Sequence, residues 1–103
     1  MLQHFNAASF EEAIAGGKPV LVDFFADWCG PCRLVSPVLD EIARERSDVK
    51  IAKINVDKES DLAGRFGVMS IPTLIVLKDG KVVEQAIGAR GKADISAMVK
   101  RHL

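Results

Sequence analysis

The chain has 103 residues, 49% of them hydrophobic, and fourteen Lys and Arg balance fourteen Asp and Glu. That length predicts one domain over residues 1–103, large enough to bury about two-thirds of its unfolded surface without covalent staples. Zero net charge excludes a dedicated nucleic-acid binder and a chain held at an anionic membrane surface, because both rely on a basic excess.

Ser9-Phe10-Glu11-Glu12 has the form of a capping box, and Phe10, Ala13 and Ile14 follow at helical spacing until Gly16-Gly17. A helix is predicted over 9–15. Val20-Leu21-Val22-Asp23-Phe24-Phe25 is nearly all apolar and rich in strand formers, which predicts a strand buried on both faces. After Cys32, an apolar stripe of Leu34, Val35, Val38, Leu39, Ile42 and Ala43 predicts a helix whose outer face carries Asp40, Glu41, Arg44 and Glu45. Pro37 within it predicts a kink.

A second strand is predicted over 51–56, and a short helix at Leu62, Ala63 and Phe66 that ends at Gly67. Strands over 73–77 and 82–87 flank Asp79-Gly80, a hairpin turn signal. Ile95, Met98 and Val99 mark the apolar face of a last helix. Helix and strand in alternation, then a hairpin, predict an α/β fold with a mixed sheet. The apolar runs 20–26 and 71–77 are too short to span a bilayer, and the first residues show no basic cluster ahead of an apolar stretch. Read as a full product, the chain is expected in the cytoplasm.

Two cysteines lie three positions apart, in Cys29-Gly30-Pro31-Cys32. A disulfide across so small a loop adds little chain-entropy stabilisation, which leaves redox chemistry or metal binding. Zinc wants four ligands, and the other soft candidates, His4 and His102, stand near opposite ends of the chain. Neither a metal nor a cofactor is expected, and both histidines read as surface residues without a role.

The cysteine pair falls between the carboxyl end of the first strand and the amino end of the long helix, where sites form in open α/β sheets. Free N–H groups and the helix dipole there stabilise a thiolate, the species that attacks disulfides. Cys29 is expected to be the exposed, attacking thiol and Cys32 the buried, resolving one. Asp23, a carboxylate within an apolar strand, is the candidate base that takes the proton of Cys32. Lys53 in the next strand is placed to modulate it. The bland alternatives are a hydrogen-bonded structural carboxylate for Asp23 and a solvent-facing lysine for Lys53. Asp57 reads as part of a solvated helix entry.

Val22-Asp23-Phe24-Phe25-Ala26-Asp27-Trp28-Cys29-Gly30-Pro31-Cys32 resembles the active-site segment of the thioredoxin family. So do Ala52-Lys53-Ile54-Asn55-Val56-Asp57, Ile71-Pro72-Thr73 and Ile87-Gly88-Ala89, in the family's order and spacing. The resemblance covers essentially the whole chain. It implies a central five-stranded sheet with four helices and a cis bond between Ile71 and Pro72. It also implies an apolar docking surface around Cys29 made by Trp28, Gly30, Pro31, Ile71, Pro72, Gly88 and Ala89.

By the same resemblance, the partners are disulfide-containing proteins as substrates and thioredoxin reductase, with NADPH behind it, as electron donor. Phe25 stands where many members carry a second tryptophan, Arg33 where lysine is common, and Ser70 where glycine often precedes Ile-Pro. None of these removes a group the chemistry needs. The expected activity is reduction of protein disulfides by a monomer. An oxidase or isomerase, and a scaffold or chaperone-like subunit in which turnover is incidental, are the competing readings.

Overall fold

The computed structural model describes residues 2–103. In chain order its elements are β1 (Gln3–His4), α1 (Ala7–Ile14), β2 (Val20–Phe25), α2 (Gly30–Glu45), β3 (Lys50–Asn55), α3 (Ser60–Arg65), β4 (Thr73–Lys78), β5 (Lys81–Ile87) and α4 (Lys92–Lys100). The five strands make one sheet in the order β1-β3-β2-β4-β5. β3 runs parallel to both β1 and β2, whereas β4 is antiparallel to β2 and to β5.

β2 lies at the centre, and all of its residues are buried. Alternate residues point to opposite faces of the sheet. Val20, Val22 and Phe24 meet Phe10 and Ala13 of α1 and Leu62 and Ala63 of α3. Leu21 meets Val35, Leu39 and Ile42 of α2 and Ile95, Met98 and Val99 of α4. Helices cover both faces, so the strand reads as a continuous apolar run. Truncating the fully buried Phe24 to alanine costs about 3–5 kcal/mol at such a site. The alternation puts Asp23 on the face shared by α2 and α4.

Two local expectations are corrected, and one strand lies where no pattern predicts it. Asn6, not Ser9, caps α1. Asn6 Oδ1 accepts the Ser9 N–H at 2.9 Å, and Ser9 Oγ accepts the Asn6 N–H at 2.9 Å. Asparagine caps as well as serine does, and the earlier start adds the turn that seats Phe10. Leu34 is 71% exposed and lies outside the apolar stripe of α2. It stands roughly a quarter turn from the line through Val35, Leu39 and Ile42. Finally, β1 has two residues, too few for any periodicity to show, and joins the sheet through its pairing with Ala52 and Lys53. The hairpin is as expected. Asp79 and Gly80 have φ of 53° and 76°, the pair of left-handed residues that a tight hairpin turn needs.

Candidate active site at the carboxyl end of the central strand

The chain leaves β2 at Phe25 and reaches Cys29, the N-cap of α2, after a tight turn closed by the Cys29 N–H on the Ala26 carbonyl at 3.1 Å. Pro31 occupies the first turn of α2, where a missing N–H costs nothing. Cys29 Sγ accepts the backbone N–H of Cys32 at 3.2 Å. The sulfur therefore sits where an orphan donor and the positive end of the helix dipole favour negative charge. Cys29 and Cys32 are joined as a disulfide, with their Cα atoms 5.3 Å apart. One expectation fails here. Cys29 is 4% exposed and Cys32 3%, so burial does not distinguish them. Joined to each other, both sulfurs share one apolar pocket with Phe25 and Ala26.

Of the two remaining loops of the resemblance, the first reaches Cys29 and the second is bonded to the first. Ile71-Pro72 is a cis peptide bond. The Ile71 carbonyl lies 3.8 Å from Cys29 Sγ, and the Pro72 carbonyl accepts the Gly88 N–H at 2.8 Å. Gly88 has φ of 94°, a conformation that glycine takes without strain. Thr73 Oγ1 donates to the Ser70 carbonyl at 2.5 Å and braces the same loop. Gly30, Pro31 and Ala89 are exposed and Ile71 is half-buried, as a docking surface requires, but Pro72 is buried. Its ring lies beneath the exposed residues, and it shapes the loop that carries Ile71.

Trp28 is 70% exposed, and its Nε1–H donates to Asp57 Oδ2 at 2.9 Å. Asp57 is thus a bonded partner of the indole and not merely a solvated helix entry. Asn55 Oδ1 accepts the N–H groups of Asp57 and Lys58 at 2.9 and 3.3 Å, which fixes the turn that presents Asp57. The Asn55-Val56-Asp57 pattern at a strand end carried that turn signal. Nothing in it pointed to Trp28, 29 residues away.

Asp23 is fully buried, and neither of its carboxylate oxygens has a hydrogen-bond partner among the described residues. Burial pushes its pKa up to about 7, and the positive charge of Lys53 opposes that rise. No protein group among the described residues supplies the hydrogen bonds that a purely structural Asp23 would be expected to have. Lys53 faces Asp23 across the β2–β3 ladder. It is half-buried, donates through Nζ to Ser36 Oγ, and lies 3.9 Å from the centre of the Phe25 ring. Ser36 was not singled out in the sequence, though it follows Cys32 by one helical turn. His4 packs edge-on against Phe25 at 5.7 Å between ring centres, and His102 contacts Glu84 at 2.7 Å. Both histidines therefore have packing roles.

A disulfide-linked cysteine pair at a helix N-cap, a buried carboxylate behind it and a cis-proline loop beside it define a thiol–disulfide oxidoreductase of the α/β class. A family model described as Thioredoxin matches residues 1–101. The chain is 52% identical over 93 residues to the thioredoxin of Alicyclobacillus acidocaldarius, covering 89% of each chain. It is 53% identical over 85 residues to that of Bacillus subtilis, covering 82% of each. It is 47% identical to that of Listeria monocytogenes over the full length of both. The chain belongs to the thioredoxin family. Its activity is protein-disulfide reduction, and its partners by membership are a reductase and disulfide-bearing proteins. Among the described residues no helix is long and apolar enough to cross a membrane.

Proposed function

We propose that Cys29 attacks and Cys32 resolves. The Cys29 thiolate attacks one sulfur of a substrate disulfide, forms a mixed disulfide and expels the other sulfur as a thiolate. Asp23 takes the proton of the Cys32 thiol. The Cys32 thiolate then attacks Cys29 Sγ and releases the second substrate thiolate. With one proton returned from Asp23 and one from water, the substrate ends with two thiols and the protein with the Cys29–Cys32 disulfide. The observation that carries this order is the bond from the Cys32 N–H to Cys29 Sγ, which favours the thiolate at Cys29. It replaces the exposure difference expected from the sequence.

Trp28, Gly30, Pro31, Ile71, Gly88 and Ala89 form the surface on which a substrate chain docks, with Pro72 beneath it. Lys53 sets the proton affinity of Asp23. A thioredoxin reductase drawing on NADPH returns two electrons to the disulfide, and the chain works as a single-domain monomer in the cytoplasm. The test is Cys32→Ser mixed in its reduced form with a disulfide-bonded protein. A stable covalent adduct on Cys29, seen by mass spectrometry, is expected. An adduct that never forms reverses the assigned order.

A further inference from the structure

An open cavity of about 240 Å³ adjoins Cys32, and Ser36 and Lys53 are among its lining residues. On α2, Cys32 and Ser36 lie one turn apart, so they share a face of the helix. Across the sheet, Lys53 and Asp23 are register partners on that side. The ammonium of Lys53 has two partners, the hydroxyl of Ser36 and the face of Phe25. The carboxylate of Asp23 has none among the described residues. A free cation next to an unpartnered buried carboxylate ordinarily closes into an ion pair, because each group otherwise bears its desolvation cost alone. Here Lys53 is bonded elsewhere.

We propose that Ser36 is a positioning residue: its hydroxyl, with the Phe25 ring beneath, holds the Lys53 ammonium off the Asp23 carboxylate. The reading rests on Asp23 as the base of the resolving step. A direct Lys53–Asp23 pair stabilises the carboxylate and makes it a poor proton acceptor at neutral pH. Anchored at Ser36, the ammonium acts on Asp23 only through space, and the carboxyl stays within the range where it both takes and returns a proton.

Few other groups bear on Asp23. β4 places Leu74 opposite it. α4 contributes the apolar Ile95, Met98 and Val99 to the core on that side. α2 presents Cys32 and Ser36. Beyond Lys53 the next residue in the row is the exposed His4 on β1, and Asp27 and Arg33 line the cavity. Arg33 Nη2 is engaged with the Asp27 carbonyl at 3.0 Å. Among the described residues, Lys53 is the charged side chain that acts on Asp23, and its release would bring that charge closer.

The experiment follows the Asp23 carboxyl carbon by NMR through a pH titration of the oxidised, full-length protein. Ser36→Ala frees Lys53, and the Asp23 midpoint is expected to fall by about one pH unit or more, the effect of an opposite charge at close range. Ser36→Thr keeps a hydroxyl and is expected to restore the midpoint. In a Lys53→Met background, Ser36→Ala is expected to change nothing further. An unmoved midpoint in Ser36→Ala overturns the proposal. So does an equal shift in the Lys53→Met background, since Ser36 would then act without the lysine. The pH profile of disulfide reduction, recorded on the same variants, tests the base separately. A midpoint that moves while the profile stays fixed upholds the role of Ser36 and removes Asp23 from the proton transfer.

Discussion

Asp23 and Glu84 carry the same functional group and titrate at opposite ends of the carboxylate scale. Asp23 sits on the central strand, fully buried and without a hydrogen-bond partner among the described residues, and burial pushes its pKa up to about 7. Glu84 sits on the edge strand β5 with its side chain 26% exposed. Arg101 donates to both of its oxygens, at 3.0 and 2.5 Å, and His102 approaches at 2.7 Å. Those hydrogen bonds, led by Arg101, hold its pKa down at about 2. The contrast shows how burial and hydrogen bonding move one functional group in opposite directions. The edge residue is given every partner it can use. The central one is denied them, and that denial keeps a proton within reach near neutral pH.

Replacing Asp23 by the neutral Asn tests this contrast with the largest expected effect. The folded pKa is raised from 3.8 to about 7, so between these values the native state holds more protons than the unfolded state. Native stability therefore falls as pH rises across that window. Asp23→Asn is expected to show no gain below the window and a gain that grows to about 4 kcal/mol above it, some three pH units at about 1.4 kcal/mol each. Urea unfolding at about pH 3.5 and about pH 8 measures both ends. The same variant is expected to slow the resolving step about 100-fold, as loss of a general base does. A stability gain that does not vary with pH breaks the contrast.

Lys53→Met sharpens it with a smaller effect. Lys53 is the charge that opposes burial, so its removal is expected to raise the Asp23 midpoint above about 7. The acid limb of the pH–rate profile should move to higher pH with it. A profile that moves the other way means the lysine acts by packing on Phe25 and not by charge.

Glu84→Gln carries the smallest effect. A folded pKa held below its ordinary 4.5 contributes stability above that value, lost as pH falls towards about 2. The pair is partly exposed, so the loss at neutral pH is expected to stay under about 1 kcal/mol and to vanish near pH 2. Thermal unfolding at the two pH values reads it. A large loss at neutral pH places Glu84 among the groups that hold α4 to the sheet.

Much of this was legible from the sequence. The boundaries of β2, the hairpin turn at Asp79-Gly80 and the buried face of α4 follow from period, turn chemistry and apolar spacing, which are local properties. So did the site of the cysteine pair, since a strand followed by a helix places it at a helix N-terminus. β1 did not show, because a two-residue strand exists only by pairing with β3. Asn6 and Ser9 offer the same cap chemistry three residues apart, so residue type alone does not say which of them starts α1. Leu34 was assigned to the core because it is apolar. The position of the sheet beneath α2 leaves it exposed.

The chemistry on offer follows from residue type and spacing along the chain: two cysteines at the start of a proline-containing helix, and one carboxylate inside an apolar strand. Which groups meet follows from the fold. It set the Ile71 carbonyl against Cys29, Asp57 on the indole of Trp28, and Ser36 on the ammonium of Lys53. These contacts join residues 17 to 42 positions apart. Their distances depend on the register of β2 with β3 and on the seating of α2 over the sheet, which is set by packing of the whole core and written in no local pattern.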